Sequence, residues 1–249
     1  MLFGKYIKKQ SIMKKRSLTL FLLVILLWDL NAQNKIASPS QYLTEIKTEL
    51  TKKWPDNRTI NLVFHGHSVP AGYFKTPIVN TLDSYPFLVL KTLKERYPFA
   101  VINIINTSIG GENSVSGAKR FESEVLIHKP DVLFIDYALN DVGVGLGKSR
   151  DAWNNMILKA LEKNIKIILL TPSPDQRENI LEVNNVLEQH KNQIRQLAKE
   201  HRVGLVDSYL LFKEKVIAGD SISKYMSQVN HPNREGHQLI ADEIITYFQ

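Results

Sequence analysis

The chain of 249 residues contains no cysteine, and this absence excludes several kinds of structure. Without thiols it forms no disulfide, carries no lipid on an N-terminal cysteine and offers no thiolate ligands to a zinc ion. An apolar run at residues 18–27 is shorter than the roughly 20 residues that a helix needs to cross a bilayer. No repeat or low-complexity segment follows that run. The fold must therefore rely on its hydrophobic core, for which the chain is long enough.

The first 32 residues have the pattern of a secretory signal peptide. Basic residues 14–16 precede the apolar run, and Ala32 supplies a small residue near the expected cleavage point. Translation could instead start at Met13. The alternative to a cleaved signal peptide is an N-terminal membrane anchor that is not removed. The sequence thus predicts an exported protein, periplasmic or secreted, whose mature part is a single domain at residues 33–249.

Little net charge remains once this leader is removed. The leader carries six basic residues and one acidic residue, so the whole chain's formal charge of +7 falls to +2 for the rest. A nearly neutral chain gives no reason to expect nucleic acid or an anionic membrane as its partner. We therefore predict no nucleic-acid binding and no stable membrane insertion after cleavage; the sequence leaves the oligomeric state open.

Short apolar runs alternate with amphipathic stretches along the mature chain. Continuous runs rich in β-branched residues predict strands that are buried on both faces, as in a parallel sheet. The runs cover residues 60–64, 101–105, 132–135, 165–170 and 203–206. The amphipathic stretches cover residues 87–97, 117–128, 150–163, 179–201 and 234–248. The alternation predicts a three-layer α/β/α sandwich with a flavodoxin-like parallel sheet of about five strands.

Residues suited to acyl transfer follow the predicted strands. Ser68 comes after the first strand, Gly110 and Gly111 after the second, and Asn140 after the third, while His231 stands at the head of the last helix. Ligands of open parallel sheets bind beyond the carboxyl ends of the strands, so these residues should converge there. A hydroxyl, flexible amides, a side-chain amide and an imidazole are the groups that acyl transfer needs.

Each of these residues has a plainer interpretation when taken singly. Ser68 could cap a helix, and Asn140 could simply form a turn. Their joint order favours chemistry, because a serine hydroxyl needs a neighbouring base and the tetrahedral intermediate needs hydrogen-bond donors. We predict that Ser68 is the nucleophile and His231 its base. The predicted oxyanion donors are the amides of Ser68 and Gly111 and the side chain of Asn140, with Gly110 as an alternative to Gly111.

Four short motifs carry a family resemblance. They are Gly-His-Ser at 66–68, Asn-Thr-Ser-Ile-Gly-Gly-Glu-Asn-Ser at 106–114, Leu-Asn-Asp at 139–141 and His-Pro-Asn at 231–233. In this order the chain, from residue 60 to its end, resembles the SGNH (GDSL-type) hydrolases. The resemblance implies a flavodoxin-like serine esterase or acylhydrolase with the residue roles given above, without cofactor or metal.

Two positions depart from the family's pattern. His67 replaces the usual aspartate before the nucleophile, and Gln228 replaces the usual acid three residues before the base. That acid fixes the histidine tautomer, so its loss touches the mechanism. Either Ser68 and His231 act as a dyad whose ring is oriented by Gln228 or a backbone carbonyl, or an acid comes from elsewhere. Asp220 is one candidate acid, and Asp207 is another.

A metal site is the alternative use of the histidines near Ser68. His65 and His67 alternate along a strand, so their side chains would point the same way. No other histidine, cysteine or paired carboxylate stands at a ligand spacing, and we predict no metal. His65 should instead pack beneath the site.

The substrate is predicted only as a class. The mature chain has no long apolar lid segment, which favours short acyl groups, such as O-acetyl on a glycan or small molecule. The alternatives are a lipase, another acylhydrolase or a thioesterase of the same family. A further alternative is a non-catalytic glycan-binding descendant, suggested by the missing acid at Gln228.

Overall fold

The five apolar runs form one parallel sheet in the computed structural model, which describes residues 35–249. The strands are β1 (Thr59–Gly66), β2 (Val101–Asn106), β3 (Val132–Asp136), β4 (Lys166–Leu170) and β5 (Gly204–Val206). Their spatial order is β2-β1-β3-β4-β5. The predicted flavodoxin-like sheet is thereby confirmed. The predicted leader, residues 1–32, lies outside the described residues.

Helices cover both faces of this sheet. Within residues 36–249, which form one compact unit, they are α1 (Pro39–Tyr42), α2 (Thr44–Thr51), α3 (Ser68–Ala71), α4 (Tyr85–Arg96), α5 (Ser114–Glu124), α6 (Leu146–Leu161), α7 (Val186–His201), α8 (Ser208–Ile217) and α9 (Arg234–Ile245). A small hairpin, β6 (Met226–Gln228) with β7 (His231–Pro232), precedes α9. None of the helices in the described part of the chain has the length and apolarity of a membrane span.

Two buried clusters flank the sheet, because successive side chains of a strand point to opposite faces. Phe64 and Phe134 stack on one face at 4.3 Å between ring centroids, among residues of α2, α4, α8 and α9. Val63 and Leu133 lie on the other face with residues of α5, α6 and α7. This arrangement explains the continuous apolar runs and confirms the three-layer sandwich.

Side-chain caps set the helix starts that differ most from prediction. The predicted helix at 179–201 begins only at Val186, because the Asn185 side chain accepts a hydrogen bond from Glu188 N and caps it there. The predicted helix at 117–128 instead begins at Ser114, capped by Asn113. Asn113 lies in polar loop sequence without a distinct capping pattern, whereas Asn185 with Glu188 three residues later has the pattern of a helix start that the predicted range did not use.

The strand order fixes where a ligand site belongs. β1 lies between β2 and β3, so the loops that leave β1 and β3 diverge and open a crevice at their carboxyl ends. Ser68 follows β1 and Asn140 follows β3. The two predicted site residues therefore flank the crevice.

Candidate active site

A tight turn at the end of β1 carries Ser68. Gly66 is required there, since a Cβ at this residue would lie 2.4 Å from the Asp136 carbonyl oxygen. His67 N donates to the same oxygen at 3.2 Å, which holds the turn against β3. His67 also caps α3, because its Nδ1 accepts from Val69 N at 3.2 Å. Ser68 is thus the first residue of α3 and not its cap, and its hydroxyl is free for another partner.

That partner is His231. Ser68 Oγ and His231 Nε2 lie 2.7 Å apart, and both residues are 8% exposed. His231 stands on β7, where Ser227 Oγ donates to the His231 carbonyl at 3.1 Å and pins the hairpin. Two residues separated by 163 positions are therefore joined by a buried hydrogen bond at the crevice.

The electrostatics of the site keep His231 neutral. Burial, with a smaller contribution from His67, lowers the pKa of the His231 ring to about 4. At neutral pH the ring is therefore uncharged and has a lone pair on one nitrogen. A neutral imidazole beside a hydroxyl is able to act as a base, provided that the free nitrogen faces the hydroxyl.

Gln228 is the partner of the other ring nitrogen. Its Nε2 hydrogen-bonds to His231 Nδ1, and its Oε1 accepts from Thr76 N at 3.1 Å. Gln228 Nε2 also lies 3.3 Å from Thr76 Oγ1. Thr76 thus orients the amide that holds the ring. It escaped sequence analysis because it lies in a loop 152 residues before Gln228 and matches no motif.

The two candidate acids have other partners. Asp220 accepts hydrogen bonds from Lys224 at 2.9 Å and from Tyr225. Asp207 accepts from Arg195 at 2.6 Å and from the Thr171 hydroxyl at 2.9 Å. In the described part of the chain, no carboxylate forms a hydrogen bond or ion pair with His231.

Hydrogen bonds join the loops that carry Ser68 and the predicted oxyanion residues. Ile109 N donates to the Gly66 carbonyl at 3.0 Å, which ties the loop after β2 to the serine turn. Asn140 Nδ2 donates to the Glu112 carbonyl at 2.9 Å, which ties the loop after β3 to the same loop. Gly111 has φ +79° and open space where a side chain would stand, which suits glycine. All three loops are therefore joined at the crevice.

Gly110 has a different setting from Gly111. A Cβ at Gly110 would lie 3.1 Å from the Tyr73 ring, so this glycine is packed against an aromatic wall. Phe74, the next aromatic, stacks on His237 at 4.7 Å between ring centroids and is buried. Of the two glycines, Gly111 is the one beside open space.

A buried polar network supports the glycine loop, and sequence analysis missed it. Arg120 forms a forked ion pair with Glu112 and donates to the Thr107 carbonyl at 2.7 Å. Tyr137 OH donates to the same Glu112 carboxylate at 2.7 Å. Burial opposes ionisation of Glu112, but the bonds from Arg120 and Tyr137 outweigh it and lower its pKa. His65 lies beneath the site as expected, with Nδ1 3.0 Å from Thr107 Oγ1.

His67 belongs to a second buried group behind the serine. Its Nε2 lies 3.3 Å from Asp136 Oδ1, and Asp136 Oδ2 accepts from Tyr85 OH at 3.1 Å. The histidine that replaces the family's aspartate thus faces a carboxylate from β3. Within residues 35–249, no cluster of three histidine, cysteine or acidic residues could hold a metal ion.

Three buried histidines predict a loss of stability in mild acid. Burial lowers the pKa of His65 to about 4, of His231 to about 4 and of His237 to about 3. Unfolding restores a pKa of about 6.5, so the unfolded chain binds more protons between these values. The unfolding free energy should fall as pH drops from about 6.5 towards 4, by about 1.4 kcal/mol per pH unit for each extra proton bound.

Urea unfolding at several pH values checks this slope. His237→Phe should reduce it, because phenylalanine keeps the stack on Phe74 without a titrating ring. The control is His128→Gln, at a partly exposed position. An equal slope in the native protein and in His237→Phe would contradict the assignment to buried histidines.

The fold and this hydrogen-bonded pair together define a class of protein. A serine and a histidine joined at the carboxyl ends of a flavodoxin-like parallel sheet are the arrangement of a serine hydrolase. The GDSL-like Lipase/Acylhydrolase family matches residues 64–239. The chain belongs to this family and is a carboxylic ester hydrolase, as the four motifs predicted.

An acetylxylan esterase from Geobacillus stearothermophilus is similar to the chain. The two are 26% identical over an alignment of 170 residues that covers 63% of this chain and 77% of the relative. The crystal structure of that acetylxylan esterase superposes with a TM-score of 0.67 at 23% identity, covering 76% of this chain and 94% of the other. A two-domain esterase active on acetylated mannans gives a TM-score of 0.68 at 20% identity, covering 84% of this chain and 54% of that one.

Variants of the Geobacillus enzyme bear on the comparison. Solved structures include forms described as catalytic mutants at a serine, at an aspartate and at a histidine. In that protein the aspartate stands three positions before the histidine. Here the residue three positions before His231 is Gln228. The chain thus has an amide at the spacing where this relative has a carboxylate.

Proposed function

We propose that Ser68 and His231 are the catalytic residues of a serine esterase. The observation that carries this proposal is the 2.7 Å hydrogen bond between Ser68 Oγ and His231 Nε2. Ser68 Oγ bonds to the acyl carbonyl carbon as its proton passes to His231, and the alcohol leaves with that proton. Water, deprotonated by His231, then releases the acid and restores Ser68. These steps require the ring proton on Nδ1, so the partner of Nδ1 governs the rate.

The oxyanion of each tetrahedral intermediate is stabilised by groups of three loops. The donors are the amides of Ser68 and Gly111 and the side-chain amide of Asn140. In residues 35–249 neither backbone N–H has an acceptor within the protein, so both are free for an oxyanion. Asn140 uses one N–H for the Glu112 carbonyl and retains the second. Fixed donors of this kind each contribute about 10²- to 10³-fold to the rate.

The substrate that we propose is an acetyl ester of a glycan. The relatives described above act on acetylated xylan and acetylated mannans, which supports this class. The cavity next to Asn140 is partly polar, whereas a long acyl chain would require an apolar groove. An acetyl group needs only the small space between Ser68 and the oxyanion donors.

A comparison of acyl lengths tests this function. Purified protein should hydrolyse p-nitrophenyl acetate with kcat/KM about 10-fold or more above that for the octanoate, and should release acetate from acetylated xylan. Ser68→Ala gives the background rate of hydrolysis for both p-nitrophenyl esters. A preference for the octanoate would favour a lipase, and no release of acetate from xylan would contradict the glycan assignment.

A further inference from the structure

A cavity of about 460 Å³ lies between the loops that follow β3 and β4. Its lining includes Asn140, a predicted oxyanion donor, and Asn230, which directly precedes His231. Its volume is within the range of small-molecule sites. The cavity therefore adjoins the predicted active site through these two residues.

One wall of the cavity is a fixed charged pair. Arg177 Nε donates to both carboxylate oxygens of Asp175, at 2.9 and 3.2 Å, and Arg177 N donates to Oδ1 at 2.9 Å. Asp175 is 9% exposed, whereas the Arg177 side chain is 71% exposed. Arg177 Nη1 has no acceptor within residues 35–249. The guanidinium is thus held in place while part of its donor capacity stays available.

The same wall is attached to the segment that carries His231. Gln176 N donates to the Val229 carbonyl at 2.8 Å, and Gln176 Nε2 donates to the Gln228 carbonyl at 3.2 Å. Arg177 and Asp175 flank Gln176 in sequence. The Asp175–Arg177 pair is therefore held at a fixed position relative to His231. A substrate that binds in the cavity and reacts at His231 requires such a fixed geometry.

The apolar part of the lining is formed by Leu139, Val142, Val186 and Leu187. A cavity with one apolar and one charged wall fits a sugar ring, which presents C–H groups on its faces and hydroxyls at its rim. An acyl chain has no hydroxyl to offer Arg177 and would leave polar groups without partners. The ligand should carry no negative charge, since Asp175 and Glu178 outnumber Arg177 among the lining charges.

We propose that this cavity binds the neutral sugar unit whose hydroxyl carries the acyl group, so that it is the site of the leaving alcohol. The proposal rests on the esterase function proposed above and names the part of its substrate that the cavity recognises. Val186 and Arg177 are then specificity-determining residues, one for each wall.

Two substrates with the same acetyl group and different alcohols test the cavity. Val186→Phe fills it, and Val183→Phe is the matched control, since Val183 is 83% exposed and outside the lining. Val186→Phe should lower kcat/KM for acetylated xylooligosaccharides about 10-fold or more, because the sugar loses its contacts with the cavity lining. It should leave kcat/KM for vinyl acetate within about 2-fold, because the small vinyl group makes few contacts with the cavity lining. Val183→Phe should change neither.

Arg177→Ala provides a second variant that leaves the apolar wall intact. It should raise KM for the oligosaccharide more than it lowers kcat, with vinyl acetate unaffected. Arg150→Ala is its control, since Arg150 pairs with Glu200 at 2.6 Å outside the lining. Equal losses on both esters, or a selective loss of p-nitrophenyl octanoate relative to the acetate, would overturn the proposal.

Binding of the product without turnover separates this proposal from the esterase function. Xylotriose titrated into Ser68→Ala and followed by NMR should bind saturably, and adding Val186→Phe should abolish the binding. Binding that Val186→Phe does not weaken, or no saturable binding, would overturn the cavity assignment whatever the catalytic result. Native protein that hydrolyses neither ester would contradict the esterase function. The xylotriose titration would still show whether the cavity binds a sugar.

Discussion

Replacing Ser68 with alanine should lower kcat/KM for p-nitrophenyl acetate by about 10²-fold or more, because no nucleophile would remain to form the acyl-enzyme. The hydroxyl is buried and makes one hydrogen bond, to His231, so its removal costs little packing. A serine-reactive phosphonate should label the native protein once and leave Ser68→Ala unlabelled, as read by intact mass.

The control for this prediction is another serine at the same edge of the sheet. Ser173 follows β4, is buried and has no hydrogen-bond partner for its hydroxyl in the described residues. Ser173→Ala should keep native activity. His231→Ala should be nearly as damaging as Ser68→Ala, and the double variant should be no worse than either, because the two groups act as a unit. Additive losses, or activity that survives in Ser68→Ala, would refute the assignment.

The strands were predictable because a strand that is buried on both faces has an uninterrupted run of apolar residues in its sequence. Residues 132–135, for example, differ from the observed β3 only by Asp136, whose side chain points to Tyr85 and His67. The start of α7 was predicted too early, although Asn185 with Glu188 three residues later marks the observed start.

The order of site residues along the chain was enough to place Ser68 and Asn140 at one edge of the sheet, because parallel strands deliver their carboxyl ends there. His231 reaches Ser68 from the β6–β7 hairpin, which lies outside that sheet. Contacts set by packing could not be predicted in this way. Thr76 reaches Gln228 across 152 residues, and Arg120 supports the glycine loop from the inward face of α5. Neither contact has a local pattern, since each depends on where a loop or helix finally lies.

The amide of Gln228 determines which nitrogen of His231 carries the proton. Its Oε1 is taken by Thr76 N, so its NH₂ group faces His231 Nδ1. Nδ1 is then an acceptor, and the neutral ring carries its proton on Nε2, where it donates to Ser68 Oγ. A base for Ser68 needs the opposite tautomer. To reach it, the Gln228 amide must rotate and turn its NH₂ group towards the donor Thr76 N, which is unfavourable.

Gln228→Glu should therefore raise kcat, by as much as the roughly 10⁴-fold that is lost when an amide replaces the carboxylate of a serine protease triad. Glutamate has the same shape as glutamine, and both of its oxygens accept hydrogen bonds. One can remain with Thr76 N while the other accepts from His231 Nδ1–H, which frees Nε2 for the proton of Ser68. Single-turnover rates with p-nitrophenyl acetate, measured beside the native protein, give the change.

The pH dependence of kcat/KM distinguishes an electrostatic effect of residue 228 on His231 from a purely structural one. With the pKa of His231 at about 4, the native kcat/KM should be level above about pH 5 and fall only in stronger acid. A carboxylate at position 228 stabilises the charged ring and raises its pKa, so the acid limb should move to higher pH in Gln228→Glu. Gln228→Met, which keeps the length without either polar atom, is the control. If Gln228→Met is as slow as the native protein and Gln228→Glu is no faster, then the tautomer does not limit the rate and the ring is positioned by the hairpin alone.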